Sequence, residues 1–338
     1  MDFGFYLPCY WPDTAVPMQH MYREITEEAR FAEELGFVSF TIPEHHFTNA
    51  LVHPNPLLTA IKVAENTRRA KLITSTTVLP FHDVRILAGE IAQADCLTNG
   101  RIEIGVGRGA YQYEFERLQI DPATAPDRFR ENLHCLVKLL SEEDVSWDGQ
   151  YVKFPPTTIT PRPVQRPHPP IWFAAMTPGG IDYACSLNMS VLTTPLRDSF
   201  NRVKEQAGSF KASAAKYGGE SHRLKLSMLI MLFVTTSEAD TKEKVALAMG
   251  RHRRFLNVYT TKGTVEKGAI VPMESDISLE DVERNLVIGP PELCIEKLKM
   301  YEAEGIDNMQ INMNWGTSHR DVMRSLETFA AKVMPHFT

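Results

Sequence analysis

Apolar and polar positions alternate along this chain in two rhythms. Short β-branched and aromatic runs read as strands: DFGFYLP (Asp2 to Pro8), FVSFTI (Phe37 to Ile42), KLITSTTVL (Lys71 to Leu79), RIEIGVG (Arg101 to Gly107), PIWFAA (Pro170 to Ala175), NMSVLTT (Asn188 to Thr194), LKLSMLIMLFV (Leu224 to Val234) and NMQINM (Asn308 to Met313). Between them lie helical periods, with Met21 to Leu35 stopping at Gly36, Pro56 to Thr67 following Asn55, and Val84 to Leu97 running up to Asn99 and Gly100. Strand then helix, repeated about eight times, predicts an α/β fold, a closed (β/α)8 TIM barrel with insertions. A doubly wound open sheet is the competing α/β arrangement.

Two stretches interrupt the rhythm. After the fourth strand a second helix, Pro126 to Ser141, leads into VSWDGQYVKF, where Asp148-Gly149 between alternating residues signals a hairpin packed on the barrel. After the seventh strand, residues 250–288 show weak periodicity and read as a long irregular loop, a mobile lid inserted in one barrel domain that takes in residues 1–338. Within it, RHRRF (Arg251 to Phe255) reads as a solvated helix face, with selection of an anionic substrate as the other reading.

Composition narrows the function. With 338 residues, 43% of them hydrophobic, the chain is long enough to bury a large single core. A net charge of -6, with Lys and Arg dispersed, leaves no footprint for nucleic acid or an anionic membrane. Five scattered cysteines without a CxxC pair give neither a disulfide framework nor a zinc site, and neither a leader-like N-terminus nor a spanning apolar run is visible, so a cytoplasmic protein is expected.

In a barrel of this kind, chemistry sits where strands end. The residues leaving those ends include Tyr10, Trp11, Glu44, His45, His46, Ser75, Thr76, Gly105 to Tyr111, Ala175, Met176, Thr177, Asn314 and Trp315. Aromatics, small residues and few carboxylates suit a large planar ligand better than a metal ion, so no metal is expected. A hydrolytic metal site on His45, His46, His53 and His82 has too few acidic ligands. The adjacent His45 and His46 point in different directions at a strand exit, so at most one of them serves chemistry. GVGRGAY supplies glycines for close approach and the Arg108 fork, and AAMTPGG places a Thr hydroxyl at a helix start; both suit a phosphate.

At these residues the sequence resembles the flavin-dependent luciferase-like monooxygenases, and especially the α subunit of bacterial luciferase. The likeness runs nearly end to end, through MDFGFYLPCYWP, EHHFT, VLP with HDVR, LTNGRIEIGVGRGAYQYEFERLQID, YVKFP and the tail from GPPELCIEK to KVMPHF. The resemblance implies a barrel using reduced FMN and O2, through a C4a-peroxyflavin, to oxygenate a small apolar aldehyde, ketone or aromatic, with a separate flavin reductase and a homodimeric assembly. It implies that His45 is the active-site histidine, with His46 turned toward the subunit interface. Ser75 and Thr76 match a cis-linked pair beneath the flavin, Arg108 and Thr177 match phosphate contacts, and Gly107 and Ala110 line the ring with Tyr111 adjoining; Ala175 and Met176 complete the cofactor set. Tyr10, Trp11, Glu44, Phe47, Phe81, Tyr111 and Trp315 would form the substrate wall. The sequence departs from luciferase at Gly107, where a reactive cysteine is replaced, at Met176, where a glutamate is lost, and at Thr193 or Thr194, where a tryptophan is lost. Those departures argue against light emission and long-chain aldehydes. A deazaflavin-dependent oxidoreductase and a non-catalytic flavin-binding relative are the alternatives.

Overall fold

The computed structural model describes residues 1–196, 199–217 and 224–337. Eight parallel strands close on themselves: β1 (Asp2–Tyr6), β2 (Ser39–Ile42), β3 (Lys71–Thr74), β4 (Ile102–Gly107), β5 (Ile171–Ala174), β6 (Ser190–Thr193), β7 (Leu226–Val234) and β8 (Asn308–Asn312). Each pairs with its neighbour in sequence, and β8 returns to β1 with Gly4 opposite Gln310. The closed barrel therefore replaces the open sheet that the pattern left as an alternative.

The strands sort their side chains by alternation. On β1, Phe3 and Phe5 point to the helical layer, where Phe3 meets Phe329 edge-on at 5.1 Å. The opposite faces of β1, β2 and β8 are small or polar. Gln310 hydrogen-bonds Ser39 Oγ at 2.9 Å and accepts the Thr41 hydroxyl at 3.0 Å, crossing over β1. Gly4 makes this possible, since a Cβ there would stand 2.2 Å from Gln310 Oε1. Around the same axis, Ile73, Trp172 and Leu192 form a small apolar cluster. Hydrogen-bonded and apolar packing together fill the barrel below its C-terminal end.

Helices start where the caps dictate. Asn55 accepts from the amides of Leu57 and Leu58 at the head of Pro56–Ala64, and Asp83 accepts from Arg85 at the head of Val84–Leu97. The first helix runs Met18–Glu34, three residues earlier than its periodicity predicts. The strand read as Lys71 to Leu79 is interrupted: after β3, a cis peptide links Ser75 to Thr76, and Thr77–Val78 then pairs with the end of β4. The hairpin forms from Val145–Asp148 and Lys153–Thr157, but its loop is four residues long instead of a two-residue Asp-Gly turn. The carboxylate of Glu131 explains the longer loop, because it accepts the amides of Gln150, Tyr151 and Val152.

The segment 250–288 is more regular than its composition predicts. Helix Glu238–Thr260 passes through Gly250 without a break. A short hairpin, Val265–Glu266 with Ala269–Ile270, follows, then helix Leu279–Asn285 and strand Val287–Gly289, which extends the sheet beside β7. Two asparagines hold the hairpin. Asn257 binds the Thr264 and Val271 carbonyls, and Asn49, in the loop after β2, accepts the Ile270 amide and donates its own amide to Gly268 O. Among the described residues, no helix is long and apolar enough to cross a membrane.

Candidate active site

The C-terminal ends of β2 to β7 surround a cavity of about 550 Å³. Its floor is set by close backbone approach. A side chain on Gly105 would strike the backbone oxygen of Thr74 at 1.9 Å, and one on Gly107 would push against Thr76 Oγ1 at 2.3 Å, so the two glycines let β4 lie close against the Ser75–Thr76 step. The Thr74 hydroxyl donates to Gly105 O at 2.9 Å and accepts from the Thr77 hydroxyl at 3.0 Å, fixing that shelf.

At one rim, helix Pro178–Ser186 begins with Thr177 as its N-cap, the hydroxyl accepting from the Gly180 amide at 3.3 Å. The loop before it is held from below. Arg202 and Gln206 both donate to Met176 O, and Gln206 also donates to Thr194 O, joining the exits of β5 and β6. Across the rim stands Arg108, exposed and in no ion pair among the described residues. Arg130 lines the same rim from helix Ala125–Ser141, beside Tyr183. Two guanidinium groups and a helix N-terminus around one opening fit a phosphate. The side-chain-free shelf at Gly107 and Thr76 fits a flat ring.

At the other side, two carboxylates organise three histidines. Glu44, buried, places Oε1 2.9 Å from His46 Nε2 and 2.8 Å from His82 Nε2, while Oε2 accepts the Val78 amide at 2.9 Å. Burial works to raise its pKa, but the hydrogen bonds from His46 and His82 prevail and hold it below the ordinary carboxylate range. His82 is raised above the ordinary imidazole range: burial opposes this, and the Glu44 carboxylate outweighs it. Glu114, fully buried, accepts the His46 amide at 2.6 Å and sits 3.0 Å from His45 Nδ1. A proton on Nδ1 donated to Glu114 leaves the other ring nitrogen of His45 as the one able to take or give a proton. The His45 ring stacks on Tyr111 with centroids 4.2 Å apart.

The cavity wall brings together Glu44, His45, Ser75, Thr76, Gly107, Arg108, Ala110, Ala175, Met176 and Thr177, all singled out from the sequence. Six others lie off it. Tyr10 and Tyr111 are buried in an adjoining cluster with Tyr6 and Cys9, on which the cavity residues Leu229 and Tyr259 pack. Trp11 is half-buried and donates to Val16 O, Phe81 packs on Phe115 at 4.8 Å, and Phe47 is half exposed. Trp315 is a core residue, 1% exposed, its indole N–H donating to Lys244 O and its ring meeting Phe233; it does not border the cavity. An aromatic at a strand end is as well used under a helix as in a mouth, and only packing distinguishes the two.

Sequence reasoning missed Glu114 and Arg130. Arg130 carries a visible signal, since Pro126, Phe129 and Arg130 share the spacing of one helix face and all three line the cavity. Glu114 carries none, because its partners are 69 and 68 residues away.

Comparison with known proteins agrees with this geometry. The family model described as luciferase-like monooxygenase matches residues 1–308. The chain belongs to the luciferase-like monooxygenase family. This luciferase-like barrel is 32% identical to the flavin-dependent trigonelline monooxygenase oxygenase component of Acinetobacter baylyi, over 95% of this chain and 91% of that protein. Among solved structures, it resembles the oxygenating constituent of 3,6-diketocamphane monooxygenase from Pseudomonas putida, a type II Baeyer-Villiger monooxygenase in complex with FMN (TM-score 0.81, 19% identity, 100% and 99% coverage). It also resembles an F420-dependent secondary alcohol dehydrogenase in complex with an F420-acetone adduct (TM-score 0.79, 18% identity, 100% and 99% coverage). At those identities the structural likeness establishes the fold.

Proposed function

We propose that this protein is the oxygenase component of a two-component monooxygenase that takes reduced FMN from a separate flavin reductase and inserts one atom of O2 into a small organic substrate. The observation that carries the reading is the single cavity in which phosphate donors, a side-chain-free shelf and a carboxylate-oriented histidine meet. Arg108, Arg130 and the Thr177 helix start would hold the phosphate, and Gly107, Ala110 and Thr76 would bound the ring. When bound, reduced FMN supplies the electrons that activate O2. The chain's own work is to position, to exclude water and to move a proton. His45, held by Glu114 and Tyr111, is placed to exchange a proton at its second ring nitrogen. The segment 250–288 would cover the mouth, and Tyr259 and Leu229 would form the apolar side of the substrate space. A cytoplasmic homodimer is the assembly we expect.

The test is anaerobic titration of the purified protein with reduced FMN, followed by an oxygen pulse while the return of oxidised-flavin absorbance is recorded. Tight binding of reduced FMN, and a return slower than that of free flavin, supports the reading. Binding of reduced F420 in preference to reduced FMN would replace it with hydride transfer on the same barrel. Binding of FMN with a return at the free-flavin rate, in the presence as well as the absence of candidate substrates, would leave a flavin-binding protein without oxygenase activity.

A further inference from the structure

Asn49, 4% exposed, uses four polar groups to join three segments of the chain. Its side chain donates to Trp11 O at 2.9 Å and its carbonyl accepts the Trp11 amide at 2.8 Å, which ties it to the residues leaving β1. Its amide donates to Gly268 O at 2.7 Å and its Oδ1 accepts the Ile270 amide at 3.1 Å, which ties it to the hairpin of Val265–Glu266 and Ala269–Ile270. Asn49 itself belongs to the loop that leaves β2 and carries His45 and His46. That loop turns at Phe47 with φ 61°, in the left-handed region that a non-glycine residue keeps where its surroundings hold it.

The hairpin reaches the same histidines by two other routes. Ile270 shares an apolar cluster with Ala50, Leu51 and Tyr111, and the Tyr111 ring stacks on His45 at 4.2 Å. The neck of the hairpin lies against helix Gln112–Arg117, where a Cβ on Gly263 would stand 3.0 Å from the Cβ of Tyr113. The next residue is Glu114, whose Oε1 holds both His45 Nδ1 and the His46 amide. Loop, stacking ring and carboxylate, the three things that seat His45, are thus each packed on or bonded to the segment that follows the seventh barrel strand. Asn257 closes the neck from within that segment: its Oδ1 accepts the Thr264 amide at 2.9 Å and its Nδ2 donates to Val271 O at 2.6 Å.

We propose that Asn49 is a positioning residue that clasps the hairpin to the β2 loop, so that His45 is seated while the hairpin is docked and released when it lifts. This rests on the oxygenase reading above for the role of His45 and adds to it the residue that joins closure to catalysis. A few hydrogen bonds and a small apolar contact hold the clasp, and each bond contributes modestly, so local opening is far less costly than unfolding the barrel. Ligands enter with the hairpin raised, and the proton-exchanging ring is completed when it comes down. Covering the mouth and assembling the site become one event.

The test follows backbone amide hydrogen exchange, residue by residue, in the full chain without ligand, for the wild type, Asn49→Ala and Asn257→Ala. N49A removes one side-chain bond to the hairpin and one to Trp11; N257A loosens the hairpin through bonds that lie within segment 257–271. The Ile270 amide is expected to exchange about tenfold faster in N49A, and the His46 amide, which reports the Glu114 bond, about threefold or more faster in both variants, while Leu72 and Ile73 in β3 keep their wild-type rates. A His46 amide that keeps its wild-type rate in both variants, or that quickens in N49A alone, overturns the proposal, because the hairpin then has no hold on the histidine loop. A rise at β3 equal to that at His46 also overturns it, since the substitutions would then have weakened the whole barrel. Reduced-FMN affinity is measured on the same proteins. Wild-type protein that fails to bind reduced FMN sinks the oxygenase reading, whereas intact FMN binding with an unresponsive His46 amide sinks only the role of Asn49.

Discussion

His45 Nδ1 lies 3.0 Å from Glu114 Oε1, and the same oxygen accepts the backbone amide of His46. One carboxylate thus fixes both the ring orientation and the local backbone of the strand exit. His45→Ala is expected to lower oxygenation by about 10²- to 10⁴-fold with reduced-FMN affinity largely retained. Glu114→Ala leaves His45 free to rotate and is expected to cost about tenfold in product formed per reduced FMN consumed, with hydrogen peroxide rising in compensation. Quantifying product and peroxide together checks both variants; unchanged coupling in H45A would remove its role.

The rim cations give a second test. Arg108→Gln and Arg130→Gln each remove a charge facing the proposed phosphate position. Each is expected to weaken reduced-FMN binding by about 10- to 100-fold, in line with a charge-assisted hydrogen bond. The measurement is anaerobic titration with FMN and with riboflavin. Riboflavin, which lacks the phosphate, should respond little to either substitution, and an equal loss for both flavins would refute phosphate contact.

The shelf is tested by stability. Gly107→Ala brings a methyl group against Thr76 Oγ1, a side-chain atom that can shift, and is expected to cost about 1–3 kcal/mol in urea unfolding. Gly105→Ala meets the backbone oxygen of Thr74, which has no rotamer to change, and should cost more than G107A. The ordering of the two is the prediction; a larger loss for G107A contradicts it.

Glu44 and His82 give a pH signature. The Glu44 carboxyl is depressed on folding, so its contribution is present above the ordinary carboxylate value of 4.5 and fades as pH falls through its folded value. The His82 imidazole is elevated, so its contribution is fully present below the ordinary imidazole value of 6.5 and fades as pH rises through its folded value. Their overlap lies between about pH 4.5 and 6.5. His82→Gln should therefore lose most stability relative to wild type inside that window and progressively less above it, as read from unfolding midpoints across pH. A constant difference from pH 5 to 9 would mean that the pair acts without a proton on His82.

The sequence made the barrel legible because strand and helix periods differ and each unit repeats them. All eight strands stand where apolar runs met turn residues, and Asn55 announces its helix by type alone. Site residues beside a strand end, such as His45 and Thr177, were legible for the same reason: position along the unit implies position in the barrel. What was hidden depends on distance or on partners. Glu114 matters through contacts with residues almost seventy positions earlier, and Trp315 is turned into the core by Phe233 and Lys244. Segment 250–288 misled in part because its hairpin is held by two asparagine clasps, Asn49 and Asn257, and an asparagine in sequence reads as a turn or a loop.

Gln310, laid across β1 above Gly4, turns the barrel into a vessel with a stopped base. Trp172, Ile73 and Leu192 pack together in the remaining bore, so the cavity rests on a base of interlocked side chains. A ligand seated against the shelf would be expected to arrive before a second one and to leave after it, and product-inhibition patterns would show whether the barrel's plug imposes that order.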